Sequence, residues 1–368
     1  MGVEFRKCKG YIYKTIVMNK IVVFGGVHID ILADYAEKNQ ERLDRVGELY
    51  YSIGGTAYNI AHTLASHKQD VTLYSVLSAN SFSTVWIKRE IANTDIKPVF
   101  QIDNALYAEN GFVAIRQNGI LEHAVTSSSL SRTQLDLDRI EQVCKNKTFA
   151  VLDSNFESHQ MLSIVKLCKK AGLKIMVAAT SDSKVKRVLP ILKHYDIDVM
   201  VMNEIEAKTF FDTENIDTVE LAQIPNNIHH LIITLGERGH YIFHEGVRDH
   251  FEAPYVADVV STSGAGDSLA AAVAHYIANR PETINWDECN KIIYEYIGEC
   301  ITQKSTYLHP TKRKLPVKML LIWGAVAILI IATVIICYLC EMYDAGLILS
   351  IIGTILAFGQ IFRGEMGD

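Results

Sequence analysis

The sequence predicts a doubly wound α/β sheet, on three observations. Short runs of β-branched and apolar residues recur from residue 20 onward, helix-length segments separate them, and glycines or polar turns close them. A chain of 368 residues can bury one large core or two modest ones.

The elements follow in order. Ile21 to Phe24 is a β-branched run ending in Gly25-Gly26, the pattern of a buried parallel strand leading into a loop. Ala57 to Ser66 has helical spacing and leads into a strand at Val71 to Val76. Phe149 to Leu152, Lys174 to Ala178, Asp198 to Met202 and Leu231 to Thr234 repeat the strand pattern. Two regions break this rhythm. Residues 31–53 and 100–125 read as extended, partly polar strands of a small side sheet, with Gln117-Asn118-Gly119 as a hairpin turn.

Composition narrows the function classes. With 21% charged and 49% apolar residues the chain is globular rather than disordered. The net charge is −6, and no Lys/Arg stripe runs through the first three hundred residues. That argues against nucleic acid as a partner, since phosphate backbones call for clustered cations. The seven cysteines are scattered and lack zinc spacing, so they read as reduced thiols. Residues 1–19 form an N-terminal extension that fits neither a secretory signal nor a myristoylation site, and Met18 is an alternative start.

Composition changes near residue 310. A basic linker over 309–318 carries Lys312, Arg313, Lys314 and Lys318, and residues 319–340 then hold no charge. A second uncharged run spans 345–362. A helix needs about 20 apolar residues to cross the hydrocarbon layer, so both runs predict transmembrane helices. Gly346, Gly353 and Gly359 would let the two backbones approach closely. The turn between the spans holds only Glu341 and Asp344, whereas the flank before them is basic. The positive-inside rule therefore puts the N-terminal domain and both termini in the cytoplasm, with the lipid bilayer as a partner.

The sharpest chemical signal is Val259-Val260-Ser261-Thr262-Ser263-Gly264-Ala265-Gly266-Asp267 ahead of the apolar helix Leu269 to Ile277. A loop of small residues opening a helix makes an anion site, because the first backbone N–H groups have no helical acceptor. Gly264 and Gly266 let a phosphate approach the main chain. An acid at the end of that loop would repel phosphate. Asp267 makes better sense as a general base that takes a proton from an attacking hydroxyl. The plainer alternative is an ordinary helix-capping turn.

That loop resembles the D-T-x-G-A-G-D signature of the PfkB carbohydrate kinase family, with Ser261 in place of the leading acid. The resemblance continues at Gly25–Asp30, Gly54–Asn59, Asn203–Glu206 and Thr234–Gly239, in family order, over roughly residues 20 to 306. It implies a ribokinase-like three-layer α/β/α sandwich with a small β-sheet lid over residues 20–308. It also implies ATP and Mg²⁺ as partners of the reaction. Carried over by position, Asp267 would activate the acceptor hydroxyl, and the amides of Gly264, Ala265, Gly266 and Asp267 would form the anion hole. Asp30, Gly54, Gly55 and Asn59 would bind the acceptor, Asn203 and Glu206 would organise Mg²⁺ through water, and Thr234, Gly236 and Gly239 would line the ATP site.

The departures concern the pocket. Ser261 leaves dependence on a monovalent cation open, His28 stands where Asn is common, and Tyr58 is large for its position. The segment Val151–Asn155 and those after it are most similar to the pseudouridine kinase branch, although Ala178-Ala179-Thr180 departs from it. The expected function is phosphoryl transfer from ATP to a hydroxymethyl group of a sugar or nucleoside. The competing reading is a catalytically weak ligand sensor that acts through its membrane helices. No P-loop motif is present, and a homo-oligomer is left open.

Overall fold

Residues 21–24 and 149–153 are almost wholly shielded from solvent, which two apolar strands reach only when a layer covers each face of their sheet. The computed structural model describes residues 2–8, 11–17, 20–35, 46–105, 109–118, 120–280 and 284–302. In chain order the elements begin with β1 (Gly2–Cys8), β2 (Tyr11–Val17), β3 (Lys20–Phe24), β4 (His28–Tyr35) and β5 (Glu48–Gly54). There follow α1 (Thr56–Ser66), β6 (Asp70–Ser78), α2 (Phe82–Ile91), β7 (Lys97–Asp103), β8 (Gly111–Gln117) and β9 (Ile120–Ser127). Next come α3 (Leu137–Cys144), β10 (Phe149–Asp153), α4 (Ser158–Lys170), β11 (Lys174–Ala178), α5 (Asp182–Val185) and α6 (Leu189–Leu192). The last are β12 (Ile197–Asn203), α7 (Glu204–Phe211), β13 (Ile228–Thr234), β14 (His240–His244), β15 (Val247–Phe251), α8 (Ala265–Asn279) and α9 (Trp286–Thr302).

Among the described residues the main sheet has nine strands in the order β15-β14-β13-β12-β11-β10-β3-β6-β7. The strands from β13 through to β7 pair in parallel, and β14 and β15 close one edge as antiparallel hairpins. Side-chain alternation divides the core between the two faces. Ile21 and Val23 join a cluster with α1, α8 and α9, while Val22 and Phe24 join one with α3, α4 and α7. These are the three layers.

A second sheet, in the order β5-β4-β8-β9, is the lid. Asn118 takes the left-handed conformation at φ 49° between β8 and β9, as the expected hairpin turn requires. One part of the expected lid is corrected. Residues 100–103 belong to β7, which pairs in parallel with β6 at the edge of the main sheet, because Phe100 and Ile102 pack into its core. Among the described residues the strands β1 and β2 pair only with each other.

The chain divides into two units, Met1–Tyr307 and Leu308–Asp368, and every described residue belongs to the first. Among the described residues no helix is long and apolar enough to cross a membrane. The expected spans at 319–340 and 345–362 lie outside the described residues.

Candidate active site

The sheet order turns at β3. The chain leaves β3 toward β6 on one side and returns through β10 on the other, which opens a crevice at the carboxyl ends of β3 and β10. The loop Gly25-Gly26 and the segment Asp153–Asn155 face each other across it. The Asp153 carboxylate accepts hydrogen bonds from the amides of Gly26 (2.8 Å), Ala57 (3.2 Å) and Asn155 (3.0 Å), and from the Asn155 side chain (2.9 Å). Asp153 thereby ties the loop after β3 to the first turn of α1. Burial pushes its pKa up, against the pull of those four donors.

Asp267 stands in the first turn of α8, after Gly264. Gly264 takes φ +82°, a left-handed conformation that glycine reaches without strain. The Asn59 side-chain amide on α1 donates to Asp267 Oδ2 at 2.7 Å. Burial raises the Asp267 pKa to about 7; the Asn59 hydrogen bond opposes that, the charges of Asp153 and Glu206 add to it, and His28 opposes it. Asp267 thus keeps a free carboxylate oxygen and a pKa suited to general base work near neutrality.

The expected anion hole is partly corrected. The Ala265 amide already donates to the Thr262 carbonyl at 3.2 Å, because the loop closes a turn just before the helix. Gly266 and Asp267 remain in the first turn, where the helix supplies no acceptor for their amides. A Cβ at Gly266 would meet nothing within 4 Å, so space is open there for a phosphoryl group.

A cleft of about 480 Å³ lies between the lid and α1, α8 and α9. Asp30, Ser52, Asn59 and Gly264 line it, together with Tyr58, Phe112 and Tyr296. His28 Nε2 lies 2.9 Å from Asp30 Oδ1. Gly54 is required here, since a Cβ would overlap the Asp30 carboxylate; at Gly55 it would overlap the Gly26 carbonyl. These two glycines shape the cleft by letting strands and loops approach. Burial pushes the Tyr58 hydroxyl up to about 12, and it lowers the His62 pKa.

Asn203 and Glu206 form a reciprocal helix cap on α7. Glu206 N donates to Asn203 Oδ1 at 2.9 Å, and Asn203 N donates to Glu206 Oε2 at 2.7 Å. Glu206 is buried, and its pKa is raised by burial, lowered by the Asn203 amide and raised again by Asp182. Thr234 pairs directly with Asn203 across β12 and β13, so the expected metal and nucleotide residues meet at one end of the sheet. Gly236 and Gly239 sit in a tight turn at φ +62° and +84°, and the Leu235 amide bonds the Gly239 carbonyl at 2.8 Å. A Cβ at Gly239 would overlap the Phe251 carbonyl, so that glycine serves strand packing. Mg²⁺ fits this end of the site. The charges of Asp153 and Glu206 both bear on Asp267, and Glu206 keeps one oxygen free of its cap.

Two residues escaped the sequence reading. Asp153 had a readable signal, an acid closing the apolar run Phe149–Leu152. Lys184 had none. It lies in the polar stretch Ser181–Lys184, yet its ammonium donates to Asn155 Oδ1 at 2.8 Å. Burial lowers its pKa, with the Asp153 charge opposing. Its short helix α5 packs on α7, the helix whose first turn carries the Asn203–Glu206 cap.

The comparisons agree with this geometry. The chain is 23% identical over 303 residues to the ribokinase of Dictyostelium discoideum, covering 74% of this chain and 93% of that protein. It is 30% identical over 131 residues to the ribokinase of Lactococcus lactis, covering 35% of this chain and 40% of that one. Among solved structures, Arabidopsis thaliana ribokinase with ribose and ATP aligns at TM-score 0.63 and 18% identity, over 78% of this chain and 94% of that one. Phosphofructokinase-2 of Escherichia coli aligns at TM-score 0.63 and 14% identity, over 79% and 95%, so both share the fold. The model of the pfkB family carbohydrate kinases matches residues 18–289. The chain belongs to the pfkB carbohydrate kinases, and it is a phosphotransferase with an alcohol group as acceptor.

Proposed function

We propose that the acceptor is a nucleoside, pseudouridine first among the candidates, and that its hydroxymethyl group receives the γ-phosphoryl group of ATP. The observation that carries this is the make-up of the cleft beside Asp267. Tyr58 and Phe112 offer ring surface for a base, and Asp30, Ser52 and Asn59 offer partners for ribose hydroxyls. A bare sugar would use only the second set.

In this reading Asp267 accepts the hydroxyl proton as the alcohol oxygen attacks phosphorus. The bond from phosphorus to the departing ADP breaks, and the Gly266 and Asp267 amides face the transferred group. Asn59 holds the carboxylate in line. Asn203 and Glu206 would hold Mg²⁺ through water, and the ion would neutralise phosphate charge.

ADP release with pseudouridine, uridine, adenosine, ribose and fructose tests the acceptor class. The nucleosides should give the highest kcat/KM, and ribose exceeding them all would overturn the assignment. Membrane anchoring rests on the uncharged runs at 319–340 and 345–362 behind a basic flank. A chain truncated after residue 308 should leave the membrane fraction. Self-association has a basis in the outer lid face, where Leu49, Tyr51, Val113, Ile115 and Val125 are 38–67% exposed. Tyr51→Glu with Val113→Glu should lower the mass in solution if that face joins two copies.

A further inference from the structure

Where the acceptor cleft meets the end of α1 and the face of α9, three ligand atoms converge that phosphoryl transfer does not use. His67, Glu295 and Glu299 each offer one atom, all within 4.8 Å of one another. Glu295 and Glu299 are four residues apart on α9 and share a face of that helix. His67 Nε2 lies 3.2 Å from Glu299 Oε2.

The tautomer of His67 follows from its other nitrogen. Nδ1 lies 2.9 Å from the Thr63 carbonyl oxygen, which can only accept, so Nδ1 carries the hydrogen. The neighbouring Ser66 hydroxyl donates to that same carbonyl at 2.8 Å. In the neutral ring, Nε2 therefore presents a lone pair to a carboxylate oxygen. Two acceptors 3.2 Å apart repel unless something positive lies between them. The imidazole plane is also held, stacked on the Tyr296 ring with centroids 3.6 Å apart and 21° between planes. A backbone carbonyl that fixes one ring nitrogen while the other faces outward is the arrangement found in metal-ligating histidines.

We propose that His67, Glu295 and Glu299 bind a divalent transition ion of the zinc type, joining α1 to α9 at the rim of the acceptor cleft. One imidazole and two carboxylates suit such an ion, and the exposed glutamates leave room for water to complete its coordination. The donor set is separate from Asn203 and Glu206 and differs from them in carrying a nitrogen ligand. His67 and Glu299 both line the cleft, so the ion would brace the wall against which the acceptor rests.

The full chain, stripped with chelator and kept free of nucleotide, is titrated with Zn²⁺ by calorimetry and with Co²⁺ by visible absorption. One ion per chain should bind, with no thiolate charge-transfer band. His67→Asn and Glu299→Gln should each weaken binding at least about tenfold, the loss typical of even an outer partner of a metal site. Cys300→Ser should leave it unchanged, which removes the nearby thiol as a competing ligand. Glu295→Gln and Glu299→Gln alter exposed positions, so loss of folding does not mask the result. No binding by the unaltered chain, or equal affinity in Glu299→Gln, overturns the proposal and leaves His67 and Glu299 as a protonated ion pair. Because the readout is metal binding, it stands apart from the acceptor assignment.

Discussion

The Asn59 side-chain amide donates a hydrogen bond of 2.7 Å to the Asp267 carboxylate, joining two helices 208 residues apart in the chain. One is α1, which follows the lid strand β5; the other is α8, whose first turn carries the anion cradle. A residue that lines the cleft therefore orients the candidate base, and under the proposed mechanism acceptor binding and proton transfer would share one contact.

The pH dependence follows from Asp267. Its pKa of about 7 means that turnover should fall below about pH 7, approaching tenfold per unit, and level off above it. Asn59→Leu removes the bond that favours the ionised form, so the acid limb of the kcat profile should move to higher pH. A limb unmoved by this change would separate the two residues. The sign for stability is opposite. A carboxylate whose folded pKa is raised weakens the fold as pH rises from its ordinary value through about 7. At pH 8, Asp267→Asn should therefore have the higher melting temperature.

Gly54 tests the acceptor wall. A methyl group there would overlap the Asp30 carboxylate, while the main sheet and α8 are untouched. Gly54→Ala should raise KM for the acceptor by about tenfold or more, equivalent to roughly 1.4 kcal/mol of lost binding, with little change in KM for ATP. Initial rates over both substrates check it.

Lys184 tests the charge beside the crevice. Its ammonium bonds Asn155 Oδ1 at 2.8 Å, beside a residue already bound by Asp153. Lys184→Met removes the cation and should lower kcat/KM for ATP by about 100-fold, with the fold intact by circular dichroism. An unchanged value would make Lys184 a loop clamp.

How much of this could be read from the chain differs by element. The runs at Ile21–Phe24, Phe149–Leu152 and Lys174–Ala178 were legible because strands covered on both faces must be apolar throughout. Gly264 and Asp267 were legible because their chemistry lies within one short segment. Residues 100–103 misled, since a partly polar edge strand of the main sheet has the same alternation as a lid strand. The bond from Asn59 to Asp267, the capping of Asn203 by Glu206 and the engagement of the Ala265 amide depend on side-chain geometry. Lys184 was invisible for the same reason, because only folding brings Ser181–Lys184 beside Asn155.

In the proposed mechanism Asp267 takes the proton from the acceptor alcohol. The most direct measurement is ADP release by Asp267→Asn beside the unaltered chain, with acceptor affinity measured calorimetrically in parallel. The expected result is a kcat lower by about 10²- to 10⁴-fold with acceptor affinity held within a few-fold. A variant that turns over at nearly the original rate would contradict the account, and the proton would have to leave by another route.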